Sequence, residues 1–517
     1  MGGDQPSRRR FLRATGLVGA AITVPAVSGL VGYHWPRSEA EPEPEPQGPP
    51  PQQGSDIERF VSRPDLSPPR LRVTRDREAA AAFDAGPRHL LVAPKGYQEA
   101  GPGQQGCLIT TVSGEPVWFL PSTGPDRVPM DFRTQTYRGE PVLTWWQGTV
   151  LEGYGTGAGM IYDSSYRKVA EVRAGNGVEA DLHEFLITDR DTALLVAYPP
   201  ARADLTPVGG PRRGWVFDGV IQEVDIESGD VLFEWSSLDH VPVEETRKEL
   251  GETGGEEHPF DYFHINSVAV DADGDLVVSA RNTWAVYKLS RDSGEVRWRL
   301  GGVRSDFALR REDVFYWQHD ARPQPDGALS LFDNASSPPR ADESRGMVLR
   351  LDPEAGKATV ERQFRHPAGL LADNQGNMQL LPDGRALIGW GAQPFVSEFG
   401  PEGELIRDTR FPAPDQTYRA YTADWVGRPA DRPVAAIGPN NAGGVTLYVS
   451  WNGATEVRRW QILAGKSPSA LEPTATVPRG GFETAVVVKA ESTYFAAVAL
   501  DADGRTLGRS DPVTGPR

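Results

Sequence analysis

The sequence predicts an all-β protein, a six-bladed β-propeller followed by a small Ig- or fibronectin-like β-sandwich. Three observations carry that expectation. From about Pro64 onward no apolar pattern of helical period is sustained; short β-rich runs alternate with Asp-Gly, Ser-Gly and Pro-Asp-Gly turns. A turn unit then recurs: "TVSGEPVWFL" at Gly114, "DSSYRKVAEV" around Tyr166, "IESGDVLFEW" at Gly229, "RDSGEVRWRL" at Gly294, "PEAGKATVERQF" at Gly356 and "PEGELIRDTRF" at Gly403. Successive spacings of 52, 63, 65, 62 and 47 residues are too short for a sandwich core in every unit, but they suit four-stranded blades that bury their faces against one another.

The expected organisation is a signal or anchor over 1–38, a linker over 39–60, the propeller over 61–437 and the sandwich over 438–517. "SRRRFL" (Ser7–Leu12) before the apolar run up to Tyr33 has the form of a twin-arginine export signal. It predicts passage of the folded chain through the twin-arginine translocon, with the protein secreted or held at the membrane only by this segment. "EAEPEPEPQGPPPQQGSD" (39–56) is rich in proline and like charge and reads as an extended tether. Glu244 to Gly251 reads as a short helix or a loop insertion. In the tail, "VTLYVSWNGATEVRRWQIL" and "GFETAVVVKAESTYFAAVAL" alternate apolar and polar residues as sandwich strands do.

Composition narrows the function. A formal charge of −17 argues against a polyanion such as nucleic acid as partner, while leaving room for a small anion in one pocket. The single cysteine, Cys107, excludes an intrachain disulfide and any Cys-pair metal or redox centre. There is no P-loop, GxSxG or HExxH motif.

The chain has only eight histidines, and three of them begin equivalent strands: "HEFLITDRDTALLVAY" at His183, "HINSVAVDADGDLVVSAR" at His264 and "HDARPQPDGALSLFDN" at His319. The next unit has "GNMQLLPDG", with Asn377 in that place. From His264, His319 and Asn377 to the hairpin glycine the separations are 10, 8 and 7 residues. In a propeller this is the innermost strand, so these starts converge on one funnel. Around them lie Asn266, Arg281, Asn334, Arg340, Arg345 and Gln379. Imidazole serves as nucleophile or general acid/base near neutral pH, and guanidinium binds sulfate or carboxylate oxygens.

Read in order, "DLHEF", "FHINSV", "LVVSAR", "FYWQHDAR", "SLFDN", "QGNMQLLPDG", "PFVSEFGPEGEL" and "YRAY" resemble the arylsulfotransferase family, in its exported branch that does not use the nucleotide sulfate donor. The resemblance runs from about Phe60 to Pro512. It implies a six-bladed propeller and sulfuryl transfer from a phenolic sulfate ester to a phenolic acceptor, with no metal or other cofactor. It maps His264 and His319 to catalytic positions, with His319 as carrier or general acid/base. His183, Asn266, Asn334, Asn377 and Arg419 become substrate-binding candidates, as do Arg281 and the arginine after "FDN", which is Arg340 or Arg345. One departure stands out: the family's carrier histidine precedes Tyr-Arg-Ala in the last blade, and here Thr417 precedes Tyr418-Arg419-Ala420. The rival reading is a non-catalytic propeller that binds an anionic aromatic ligand or an envelope partner.

Overall fold

The computed structural model describes residues 55–515, apart from 77, 79, 81–82, 84–88, 97–98, 152, 439–444 and 489–491. The twin-arginine stretch and nearly all of the tether lie outside the described residues. Among the described residues no helix is long and apolar enough to cross a membrane.

Strands dominate, arranged as antiparallel meanders in chain order. The clearest runs Ile265–Val270, Leu276–Ala280, Ala285–Leu289 and Val296–Gly301. Five further sheets repeat this four-strand order, with first strands Val128–Tyr137, Phe185–Ile187, His319–Pro323, Asn377–Leu380 and Ala420–Ala423. The last of these takes its other three strands from the N-terminal side, His89–Val92, Gly106–Thr111 and Pro116–Pro121. Arg72–Arg75 adds a fifth strand to the sheet begun by Asn377–Leu380. Both ends of the repeat region are thereby tied into its sheets.

The six recurrent turns each join the third strand of a sheet to its fourth. All six turn residues, Gly114, Tyr166, Gly229, Gly294, Gly356 and Gly403, have positive φ. Five are glycine because only glycine enters that region without cost; Tyr166 (φ 63°) is the exception, its ring stacked on Trp118 at 4.8 Å.

Middle strands are buried on both faces. In Leu276–Ala280, Leu276 and Val278 join a core with Leu194, Val196 and Ile221 of the preceding sheet, while Val277 joins Leu329 and Leu331 of the following one. This is the period-2 rule applied to a sheet with a neighbour on each side. Similar clusters join every adjacent pair, the last uniting Leu91 and Ile109 with Phe132 and Leu143. The packing therefore runs cyclically from sheet to sheet and returns to its start. Outermost strands alternate exposed and covered residues, as Lys357–Phe364 does.

The first strands face a common axis. A cavity of about 1030 Å³ is lined by residues from all six, among them Arg133, Ile187, Ala269, Arg322, Gln379 and Tyr421. It opens at the strand ends; the histidines stand at the strand starts, on the other side.

Residues 434–514 form two further sheets, of three and five strands, around a core of Leu447, Trp460, Ile462 and Phe495. Val434–Gly438 already pairs here with Val445–Ser450, so this unit begins before the expected residue 438. It is docked, not tethered: Phe60 packs on Phe482, Glu483 accepts from the Val61 N–H, and Asn452 pairs with the Phe119 backbone. Phe60 thus belongs to the folded part and not to a linker. A 3₁₀ turn at Val243–Glu245 overlaps the start of Glu244–Gly251, the rest of which is loop, and a single helical turn at Ser237–His240 precedes it.

Candidate active site

The strand starts bring His183 and His264 together. Their rings meet edge to face with centroids 4.7 Å apart. Each donates from Nδ1 to an aspartate, His183 to Asp181 Oδ1 at 2.5 Å and His264 to Asp261 Oδ2 at 2.6 Å. Because a carboxylate only accepts, the proton sits on Nδ1 and the Nε2 lone pair is left available. Backbone N–H donors fix Asp181: Gly155 to Oδ2 at 2.6 Å and His183 to Oδ1 at 3.0 Å. Asp261 is held by the Asn282 amide at 3.1 Å. Tyr198 and Tyr418 close the site with edge contacts on His183 at 5.8 and 5.9 Å.

Burial lowers the His264 pKa against the opposing pull of Asp261, so its imidazole is neutral at pH 7. It is also the more accessible of the pair, with its side chain 12 % exposed against 5 % for His183. His264 has φ 59°, a left-handed backbone that branched or bulky residues avoid and that recurs at functional sites.

His319 differs. The Gln375 N–H donates to its Nε2 at 3.2 Å, and its own Nδ1–H donates to Asn334 Oδ1 at 2.7 Å. Burial, reinforced by Arg281, drives its pKa well below the ordinary value. It is a neutral imidazole with both nitrogens engaged, which leaves no lone pair for a carrier.

Arg281 completes the site. Its guanidinium donates to Asn282 Oδ1 at 3.0 Å and to the Asp373 carbonyl at 3.1 Å, while its buried Nε has no acceptor among the described residues. Burial pulls it down to about 10, opposed by Asp261 and Asp373, so it remains cationic. It lies over the Trp317 ring at 4.8 Å.

The other sequence candidates are occupied elsewhere. Asn266 donates to the Gln318 carbonyl at 2.7 Å, tying one first strand to the next. Asn377 brackets the backbone of Ala420, donating to its carbonyl at 2.7 Å and accepting from its N–H at 2.9 Å. A side-chain amide does both at once; imidazole has the wrong spacing, which explains asparagine where the other strands have histidine. Asn334 orients His319 and donates to the Ala372 and Gln375 carbonyls. Arg345 is spent on Asp333 (2.9 Å), Gln363 and the Glu312 and Val314 carbonyls. Arg340 is exposed and stacks on Trp284 at 5.1 Å. Thr417, in the expected carrier position, is buried; its hydroxyl donates to the Arg419 carbonyl at 2.8 Å and accepts from the Ala93 N–H at 3.2 Å.

Arg419 belongs to a buried ion network deeper along the axis. Its NH1 meets Asp131 at 3.0 Å and Glu184 at 3.4 Å. Arg133 meets Glu184 at 2.6 Å and Asp131 at 3.1 Å; Arg322 meets Glu184 at 2.6 Å and Asp320 at 2.7 Å. Three guanidiniums and three carboxylates balance. Although burial opposes it, Arg322, Arg419 and Arg133 hold the Glu184 carboxyl down at about 2. These charges stand immediately after the site histidines in "HEF" and "HDAR", and in "DFR" and "YRAY". The aspartates in "DLH" and "DYFH" were the other overlooked signal.

The family profile described as arylsulfotransferase (ASST) matches residues 133–412, more than half of the 517-residue chain. The chain belongs to the arylsulfotransferase family. The match spans His183, His264, His319 and Arg281, and ends before Arg419. No curated protein gives a match. Among solved structures the chain is similar to a Bacteroides caccae protein of unknown function (14 % identity, 65 % of this chain and 99 % of that one, TM-score 0.38). A Lactobacillus plantarum protein is similar at 13 % identity, over 78 % of this chain and 100 % of that one, with a TM-score of 0.34. A virginiamycin B lyase from Staphylococcus aureus is similar at 11 % identity, over 64 % and 85 %, with a TM-score of 0.30. At these scores none bears on the activity of this arylsulfotransferase-family chain.

Proposed function

We propose that this arylsulfotransferase-family protein moves a sulfuryl group from a phenolic sulfate ester to a phenolic acceptor at the His183–His264–Arg281 site. The observation that carries the reading is the pair of Asp–His dyads, rings 4.7 Å apart, beside a guanidinium with an open N–H. Arg281 clamps the sulfuryl oxygens, whose negative charge its cation offsets. His264 Nε2 attacks sulfur; the bond from sulfur to the aryl oxygen breaks and its electron pair leaves with the aryloxide. The acceptor hydroxyl then gives its proton to His183 Nε2 and attacks sulfur. The N–S pair returns to His264, and His183 releases its proton to solvent, which balances the proton the departed aryloxide takes up from water to become the phenol. His319 acts as a positioning residue, holding Gln375 and Asn334 in place.

This assignment moves the carrier role from His319 to His264, because both nitrogens of His319 are engaged and, of the two histidines with a free Nε2, His264 is the more accessible. The cyclic packing of six sheets and the cavity lined from all six support a six-bladed propeller. The two sheets of 434–514 support a sandwich module. Ser7–Leu12 supports export through the twin-arginine translocon, secreted or anchored.

The test is product formation. Purified protein given nitrophenyl sulfate and phenol should form phenyl sulfate one-for-one with nitrophenol, followed by mass spectrometry. Folded protein that forms no phenyl sulfate, or only free sulfate, would overturn the proposal.

A further inference from the structure

Beside the histidines lies an aromatic patch that the transfer chemistry does not use. Trp284 packs edge to face on Trp317 and on Tyr316, each with centroids 5.1 Å apart. The patch is continuous with the site: Trp317 offers its carbonyl to His319 Nδ1 at 3.1 Å and lies under Arg281 at 4.8 Å. Two more guanidiniums lie over Trp284, Arg340 at 5.1 Å and Arg247 at 5.5 Å. Both are exposed, and neither forms an ion pair among the described residues. In a chain of formal charge −17, acidic residues are plentiful, so two such guanidiniums on one indole mark a place where positive charge is left open.

Two further features point to a ligand. The Trp284 indole N–H is buried without an acceptor, a donor that costs free energy until an oxygen reaches it. Trp284 and Trp317 also hold left-handed backbones, φ 55° and 57°, which bulky residues rarely adopt.

Resting on the sulfuryl-transfer reading, we propose that this patch is the acceptor's aryl subsite and that it selects phenols carrying a second anionic group, such as a carboxylate, remote from the hydroxyl. The ring packs against the accessible part of Trp284, which the buried Trp317 backs. The remote anion sits between Arg247 and Arg340 and accepts from the Trp284 indole. A neutral phenol binds through its ring alone and leaves both guanidiniums in water.

The experiment is calorimetric titration of the full chain with 4-hydroxybenzoate and with phenol, at low and high salt, beside the double variant R247Q/R340Q. Both arginines are exposed, so that variant tests the subsite without disturbing the core. 4-Hydroxybenzoate should bind roughly five- to tenfold more tightly than phenol at low salt, a preference that added salt and the double variant both erase. Equal affinities, or a preference that survives in the double variant, would overturn the proposal. Sulfuryl transfer is assayed on the same samples. Its absence beside an intact, arginine-dependent preference would count against the proposed reaction while supporting the subsite.

Discussion

Along the axis between the first strands, two charged regions lie within a few residues of each other in sequence and behave oppositely. His183 and His319 stand at the strand-start end, away from the mouth of the cavity, while the residues that follow them, Glu184 and Asp320, face inward to the ion network. Inward, each carboxylate has at least one guanidinium and each guanidinium at least one carboxylate, and backbone groups such as the Asn266 carbonyl take further donors. At the strand-start end valence is left over among the described residues: two Nε2 lone pairs, the Nε of Arg281 and the indole N–H of Trp284. The inward network pairs every charge and holds strands in register, although Asp131 Oδ2 and the Nε atoms of Arg133 and Arg419 lack a hydrogen bond among the described residues. The end with free imidazole lone pairs beside an unpaired donor can hold a ligand. Family residues are therefore assigned more securely by what their atoms still lack than by their place in a motif.

The largest expected effect breaks the histidine end. His264→Ala should lower kcat by about 10³-fold or more while leaving the urea midpoint unchanged, because the lost group is chemical and not structural. The mirror-image change is Arg419→Met in the closed network. It strands Asp131 and Glu184 and should cost about 3–5 kcal/mol of stability in urea unfolding. Next comes Asp261→Asn, which removes the charge that fixes the His264 tautomer and should reduce kcat about tenfold.

Two pH dependences sharpen the contrast. The depressed pKa of Glu184 stabilises the fold fully above the unfolded carboxyl value, and that contribution disappears as pH falls toward about 2. Acid unfolding should accordingly be steeper in wild type than in Glu184→Gln between about pH 4.5 and 2. The lowered pKa of His264 keeps its lone pair free in mildly acid solution, so the acid limb of kcat/KM should fall below the ordinary histidine value of about 6.5.

Much of this was legible in the sequence. Turn spacing, not secondary-structure propensity, revealed the repeating sheets, because a positive-φ position between the third and fourth strands favours glycine in every repeat. The convergence of His183 and His264 followed from the same alignment. What the sequence could not separate were polar residues facing a ligand from polar residues facing a backbone. Asn266, Asn377 and Arg345 sit at the right positions, yet a neighbouring strand or loop takes up the amide N–H of Asn266 and the hydrogen-bonding groups of the other two. His319 illustrates the same limit, since only the approach of the Gln375 N–H to Nε2 disqualifies it as a carrier. After "FDN" the two arginines part by burial: Arg345 turns in to Asp333, and Arg340 turns out to Trp284.

The most direct test of this division compares nitrophenol release from nitrophenyl sulfate, with phenol as acceptor, in wild type, His264→Ala and His319→Ala at matched folded concentration. The account predicts acceptor-dependent release in wild type, none in His264→Ala, and a reduced but measurable rate in His319→Ala. Full activity in His264→Ala, or loss confined to His319→Ala, would contradict it.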